Sequence, residues 1–245
     1  GNNGNLTLDF ALKGTLNLGN LVWNDTNGDG DYDGGEPAVS GVIVRLYYDA
    51  NGDNVADGAA IATTTTNAQG LYSFNNLPPN NYIVGFVIPT GYISSISTTT
   101  SSNPNNDIND DNNGINFQGA NVAGTEVRSN FITLTENGEP ISTVDGDGTN
   151  GNLTLDFGIC GLGGLGDFVW NDVNKNGIKD ANEIGLAGVN VTLTYPDGTQ
   201  FSVPTDVDGF YFFSNLGPGN YIVTFATPTG VIPSPSNQGT NEAVD

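Results

Sequence analysis

Val42-Ile-Val-Arg-Leu-Tyr-Tyr48 is mostly β-branched or aromatic, with Gly41 before it and Asp49 directly after. Three further stretches have the same character: Leu71-Tyr-Ser-Phe74, Tyr82-Ile-Val-Gly-Phe-Val-Ile88 and Leu153-Thr-Leu-Asp-Phe157. Each is short and bounded by Gly, Pro, Asn or Asp, which is how strands and their turns are written. No stretch of ten to twelve residues carries apolar positions at helical spacing. Short strands with turn chemistry every 8–12 residues predict an all-β chain built as a β-sandwich. The Ser/Thr-rich and then Asn/Asp-rich residues 94–130 are expected to form a long loop or an edge hairpin.

The chain contains the same unit twice. Gly4-Asn-Leu-Thr-Leu-Asp-Phe10 recurs as 151–157, Leu18-Gly-Asn-Leu-Val-Trp-Asn-Asp25 as Leu165-Gly-Asp-Phe-Val-Trp-Asn-Asp172, and Gly41-Val-Ile-Val as Gly188-Val-Asn-Val, all at an offset of 147. Leu77-Pro-Pro-Asn-Asn-Tyr82 recurs as Leu216-Gly-Pro-Gly-Asn-Tyr221 at an offset of 139, so the second copy is eight residues shorter between these blocks. A fixed period of this kind marks a tandem array. The expected division is a terminal strand and linker of a preceding repeat at 1–14, a first sandwich at 15–160, and a second, truncated at its C-terminal end, at 161–245.

Each copy carries one loop fitting D-x-[DN]-x-[DN]-G-x5-E, the spacing that wraps oxygens around Ca²⁺. The first offers Asp25, Asn27, Asp29, Asp31, Asp33 and Glu36; the second offers Asp172, Asn174, Asn176, Ile178, Asp180 and Glu183. Ile178 holds position seven, where a backbone carbonyl ligates, and Asp31 at the same position can ligate by its backbone alone. Gly30 and Gly177 supply the sharp turn at position six. The flanking segments are strands, so a fixed structural site is expected and not a sensor that opens helices. Weaker candidates are Asp49, Asn51, Asp53 and Asp57, whose spacing matches but with Ala60 at position twelve; Asp107, Asn109 and Asp111; Asp145 and Asp147; and Asp206 with Asp208. Trp23 and Trp170, and the tyrosine pairs Tyr72/Tyr211 and Tyr82/Tyr221, are expected in the core. Asn5, Asn24, Asn152 and Asn190 begin N-x-[ST] sequons, expected to be chance matches.

The 245 residues hold 27 acidic against 5 basic side chains, no His and one Cys. A formal charge of -22 excludes nucleic acid and anionic membrane surfaces as direct partners, since both demand Lys/Arg patches. It suits a divalent cation. The lone Cys160 cannot form an intrachain disulfide, so metal loops are the expected staples. No apolar run reaches the length of a membrane span. Without His, the usual nucleophile arrangements are missing, and a carboxylate pair drawn from Glu126, Glu136 and Glu139 would lie in a loop-rich region. A non-enzymatic chain is expected.

The run Leu165-Gly-Asp-Phe-Val-Trp-Asn-Asp172 and on to Leu193, with Thr205-Asp-Val-Asp-Gly-Phe-Tyr211 and Leu216 to Tyr221, resembles the B-type repeat of serine-aspartate-repeat bacterial surface adhesins. The resemblance spans nearly the whole chain. It implies an immunoglobulin-like, prealbumin-type β-sandwich, related to the B domains of collagen adhesins, that binds several Ca²⁺ ions and serves as a rigid extracellular stalk module with neighbouring repeats as partners. Beyond the family pattern, the first copy carries an insertion at 49–58 and an acidic stretch around 107–113. Some relatives lock each domain with a Lys–Asn isopeptide bond; Lys13, Lys175 and Lys179 lack a Lys counterpart in the other copy, so no such bond is expected. Two alternatives remain beside the stalk. One is a module that binds a host, matrix or glycan ligand through 94–130. The other is a filament subunit in which residues 1–10 of one chain complete the second sandwich of the next. Repeat arithmetic favours a continuous array over such donation, because ten residues cannot replace roughly 50 others.

Overall fold

The computed structural model describes residues 14–96, 103–105, 108–139 and 148–235, and these contain strands but no helix. The chain divides into two compact units, Gly1–Gly161 and Leu162–Asp245. Unit 1 contributes β1 (Leu16–Asn24), β2 (Ile43–Tyr48), β3 (Ala62–Thr65), β4 (Leu71–Leu77), β5 (Asn80–Val87), β6 (Tyr92–Ser94), β7 (Asn116–Phe117), β8 (Glu126–Arg128), β9 (Ile132–Leu134), β10 (Gly151–Asn152) and β11 (Phe157–Gly161). Unit 2 contributes β12 (Gly163–Phe168), β13 (Asn190–Thr194), β14 (Gln200–Pro204), β15 (Phe210–Leu216) and β16 (Ile222–Phe225).

In unit 1 a five-stranded sheet runs β10-β1-β11-β6, with β4 also on β1, and a six-stranded sheet runs β3-β2-β5-β8-β7, with β9 on β5. Side chains alternate across a strand, and β4 shows it from Leu71 to Asn75, with Tyr72 and Phe74 buried; Asn76 takes a positive φ and Leu77 then turns inward. The inward rows of the two sheets meet in one core. Leu16, Leu18, Val22, Tyr72, Phe74 and Phe157 come from one sheet; Val44, Leu46, Val84, Phe86 and Val127 come from the other. This is the expected immunoglobulin-like sandwich. Trp23 is fully buried, as are Tyr82 and, nearly so, Tyr72. β7 and β8 form the hairpin expected within 94–130, with β7 on the sheet edge.

The expected strand Leu153–Phe157 requires correction. Only its last residue is in a strand; β10 ends at Asn152 and β11 begins at Phe157. Both lie parallel to β1, with Leu18 opposite Asn152 and Val22 opposite Phe157. Three residues of β1 therefore face four of the neighbouring chain, and the ladder breaks at that mismatch. The Asp156 carboxylate replaces a ladder acceptor, taking the Leu21 N–H at 2.9 Å. Alternation alone could not reveal this, because it reports which face is buried and not what the strand pairs with.

Unit 2 repeats these devices. β12 pairs with β15 from Gly163↔Leu216 to Phe168↔Phe210, the register of β1 on β4 moved by the repeat offsets. β13 lies between β14 and β16. Val191, Leu193, Tyr211, Phe213 and Leu216 form the buried cluster. A buried threonine recurs as well: Thr66 accepts the Val42 N–H and donates to the Val39 carbonyl, as Thr205 does with Val189 and Leu186. The eight extra residues of the first copy correspond to the 49–58 loop after β2, where the second copy has the tight Tyr195-Pro-Asp-Gly198 turn.

The lone Cys160 sits on β11 opposite Ile93 of β6, 3% exposed. Burial raises its thiol pKa to about 11, against a hydrogen bond from Ser95 that lowers it.

Candidate cation-binding loops

The first loop follows β1 directly. Asp25 is fully buried, and its carboxylate accepts the backbone N–H of Gly28 (2.6 Å) and Gly30 (2.8 Å) and the Ser95 hydroxyl. Glu36 closes the loop from its far end: Oε1 accepts the Thr26 N–H at 2.7 Å and Oε2 the Asp33 N–H at 3.2 Å. Between them the chain turns through Gly28 and Gly30, both with positive φ. A Cβ on Gly30 would stand 2.5 Å from the Ile96 carbonyl oxygen, so position six must be glycine for steric as well as conformational reasons.

The second loop folds the same way. Asp172 accepts Asn176 N–H at 3.1 Å and Gly177 N–H at 2.8 Å. Glu183 is buried and accepts Val173 N–H at 2.8 Å and Asp180 N–H at 3.1 Å. Desolvation pulls the Asp172 carboxyl upward, but hydrogen bonds from Ser234 and from the Gly177, Asn176 and Lys175 backbone hold it below its ordinary value. Ser95 and Ser234 thus serve the first aspartate of their respective loops.

The Asp49–Asp57 segment adopts the same arrangement despite lacking an acid at position twelve. Asp49 is fully buried and takes the N–H groups of Gly52, Asp53 and Asn54. Asp57 accepts the Ala50 N–H at 2.8 Å, which is what Glu36 does for Thr26. The shorter loop lets position nine reach back where position twelve does elsewhere.

Side-chain amides lie among the carboxylates in all three. The Asn27 amide nitrogen donates to Asp29 Oδ2 (2.8 Å) and Asp33 Oδ2 (3.0 Å). Asn174 and Asn176 both donate to Asp180 Oδ2, at 2.7 and 3.1 Å, and Asn51 donates to Asp53 at 3.0 Å. These N–H groups offset negative charge where a cation would, and turning each amide over would present its oxygen instead. Among the described residues no three His, Cys, Asp or Glu side chains are drawn together as a preformed metal cluster. The donor set, all oxygen and rich in carboxylate, nevertheless suits a hard divalent cation.

A second acidic segment lies beside the first loop. Asp31 and Asp111 form a β-bridge, Tyr32 N–H donates to the Asp110 carbonyl and Asn112 N–H to the Gly30 carbonyl. Asp31 titrates above its ordinary value, through desolvation first and then Asp29, Asp33, Asp25 and Asp110. Asp156, buried behind this segment, is raised far more, by burial and by Asp111 and Asp110, against the Leu21 N–H that lowers it. Asn109 accepts a hydrogen bond from Asn20. Asp110, Asp156 and Ser95 escape the sequence reading because they come from distant segments. The one available signal was Asp156 within a heptapeptide that occurs twice.

Other expectations fare differently. Asp107, Asp145 and Asp147 lie outside the described residues. Asp206 accepts the N–H groups of Asp208 and Phe210 within its own turn, as Asn67 does with Gln69 and Leu71; both are turn residues. Glu126 is bound by Arg45, Arg128 and Tyr47, and Glu139 accepts the Thr135 N–H. Asn152 of one sequon is 2% exposed.

Comparison with known proteins places the chain. The family model described as SdrD B-like domain matches residues 16–158 and 163–245. The chain belongs to the SdrD B-like domain family. Its similarity extends to the serine-aspartate repeat-containing protein F of Staphylococcus epidermidis, 39% identical over 98% of this chain, and to protein D of Staphylococcus aureus strain Newman, 36% identical over 98%. This SdrD B-like chain spans 12% and 16% of those relatives' lengths. Among solved structures, the shaft pilin SpaA of Lactobacillus rhamnosus GG aligns over 91% of both chains at 11% identity and a TM-score of 0.36. The minor pilin GBS52 of Streptococcus agalactiae aligns over 94% of this chain and 89% of its own at 16% identity and 0.30.

Proposed function

We propose that the chain is a calcium-stiffened, non-catalytic segment of the stalk of an extracellular bacterial surface adhesin or fibre. One observation carries the reading: three loops of different sequence fold alike, each around a first aspartate that receives backbone N–H groups and a later acid that closes the loop. Asp25, Asn27, Asp29, Asp33 and Glu36, with the Asp31 carbonyl, would hold one Ca²⁺. Asp172, Asn174, Asn176, Asp180 and Glu183, with the Ile178 carbonyl, would hold a second, and Asp49, Asn51, Asp53 and Asp57 a third. Bound there, the cation would neutralise clustered carboxylates and tie the end of β1, β2 or β12 to the segment that follows. In a chain of charge -22 that relief stabilises the folded state by mass action. Neighbouring repeats are the proposed partners, in a surface-exposed array.

Calcium titrated into the chelated chain is expected to raise its melting temperature and its resistance to protease. No change in either at millimolar calcium overturns the proposal.

A further inference from the structure

The connection from β3 to β4 carries the chain from an edge of one sheet of unit 1 to an edge of the other, and a groove of about 350 Å³ opens beside it. That volume is within the range of small-ligand sites. Thr64 and Thr65 line it from β3, Leu71 and Ser73 line it from β4, and Asn67 lies in the turn between the two strands. Asn20 of β1, Tyr72 and Leu153 also line it. Leu153 belongs to the stretch between β10 and β11 where pairing with β1 breaks. In a chain of net charge -22, none of these eight residues is charged.

The two amides of the groove are held by their neighbours with opposite polarity. The Asn20 nitrogen donates to Asn109 and, at 3.2 Å, to Asp156, which leaves its oxygen as an acceptor. The Asn67 oxygen accepts the Gln69 N–H at 2.9 Å and the Leu71 N–H at 3.0 Å, which leaves its nitrogen as a donor. Among the described residues, neither remaining amide atom has a hydrogen-bond partner, and neither does the hydroxyl of Thr64 or Thr65. Leu71, 44% exposed, and half-buried Leu153 add apolar surface. The lining therefore suits a ligand that donates and accepts in equal measure, carries no charge and has an apolar face. Sugars combine these properties. A carboxylate or phosphate would meet the Asn20 oxygen, with Asp156 bonded to the same amide, and a metal ion would find no carboxylate in the lining. We infer that this groove is a binding site for a neutral saccharide, separate from the cation loops. Unit 2 keeps the strands but not the chemistry. Its equivalents are Asp167, Val203, Pro204, Asp206, Phe210 and Phe212, so carboxylates replace both amides and phenyl rings replace Leu71 and Ser73. The site belongs to the first copy alone.

The test uses the full 245-residue chain, in calcium and again in chelator, so that its outcome is separate from that of the loops. The probes are cellobiose, lactose and N,N′-diacetylchitobiose, with glucuronate as the anionic control. Backbone NMR shifts at Thr64, Thr65, Asn67, Leu71 and Ser73 should move saturably with at least one neutral probe and much less with glucuronate. The Thr64→Val/Asn67→Asp variant installs the residues that unit 2 holds at these positions. Asp206 accepts there the two N–H groups equivalent to those that Asn67 accepts, so the turn is kept. The variant should weaken binding about tenfold or more, the scale of two lost hydrogen bonds. Shifts centred outside the groove, or an affinity that the variant leaves unchanged, overturn the site. So does the lack of a saturable shift from every neutral probe at about 50 mM, a concentration that would populate even a weak site. Larger shifts from glucuronate overturn the assignment to a neutral ligand.

Discussion

Each loop is closed by a later acid, which in the proposed calcium sites would supply the last ligand. Glu36 gives both oxygens to backbone N–H groups at the start and middle of its loop, and Glu183 does the same. The first loop carries five carboxylates against three in the second, and ligand charge is one of the terms that tunes affinity. Calorimetry on Glu36→Ala should therefore remove the tighter binding event and on Glu183→Ala the weaker one; loss of the tighter event from Glu183→Ala would reverse the ranking. In the 49–57 loop, Asp57→Ala should cost the Ala50 N–H its acceptor and destabilise the calcium-free chain by about 1 kcal/mol, measured by denaturant midpoint. An unchanged midpoint would mean Asp57 does not close that loop.

At the level of strands, the outer face of the β2-β5-β8 sheet carries both arginines of the chain. Arg45 and Arg128 each contact Glu126 at 2.5 Å, Tyr47 donates to the same carboxylate, and Arg128 lies 4.1 Å over the Tyr47 ring. Gly85 of β5 runs beneath; a Cβ there would stand 2.8 Å from Glu126 Oε1. Burial raises the Glu126 pKa, but Arg128, Tyr47 and Arg45 outweigh it and the net shift is downward. Its contribution is thus present above the ordinary glutamate range near pH 4–5 and lost as pH falls through the lower, folded value. Glu126→Gln should lower stability at pH 7 by about 2 kcal/mol and much less at the acid end; equal losses at both ends would refute the assignment. The strands that could be read beforehand, β2, β4 and β5, are six to eight residues long, enough for a β-branched and aromatic run bounded by turn residues to show. β6 to β9 span two or three residues, too few for any period, and they owe their pairing to the sheet they join. Likewise the loops were legible from spacing, while Ser95 and Asp110 reach the first of them from elsewhere in the chain, and Asp156 reaches β1 just before it.

Across the molecule the two units are unequal. Among the described residues, nineteen buried side chains form the core of unit 1 and five that of unit 2. Buried apolar area sets the scale of stability, so calorimetry in chelator should show two transitions, unit 2 melting first. Coincident melting of both would show that the units fold as one.

The single thiol of the chain sits where β6 meets β11, shut from solvent and held protonated at neutral pH. Alkylating reagents can reach it only when that seam parts. Cys160 would therefore act as a built-in reporter: the labelled fraction would record how often that seam opens.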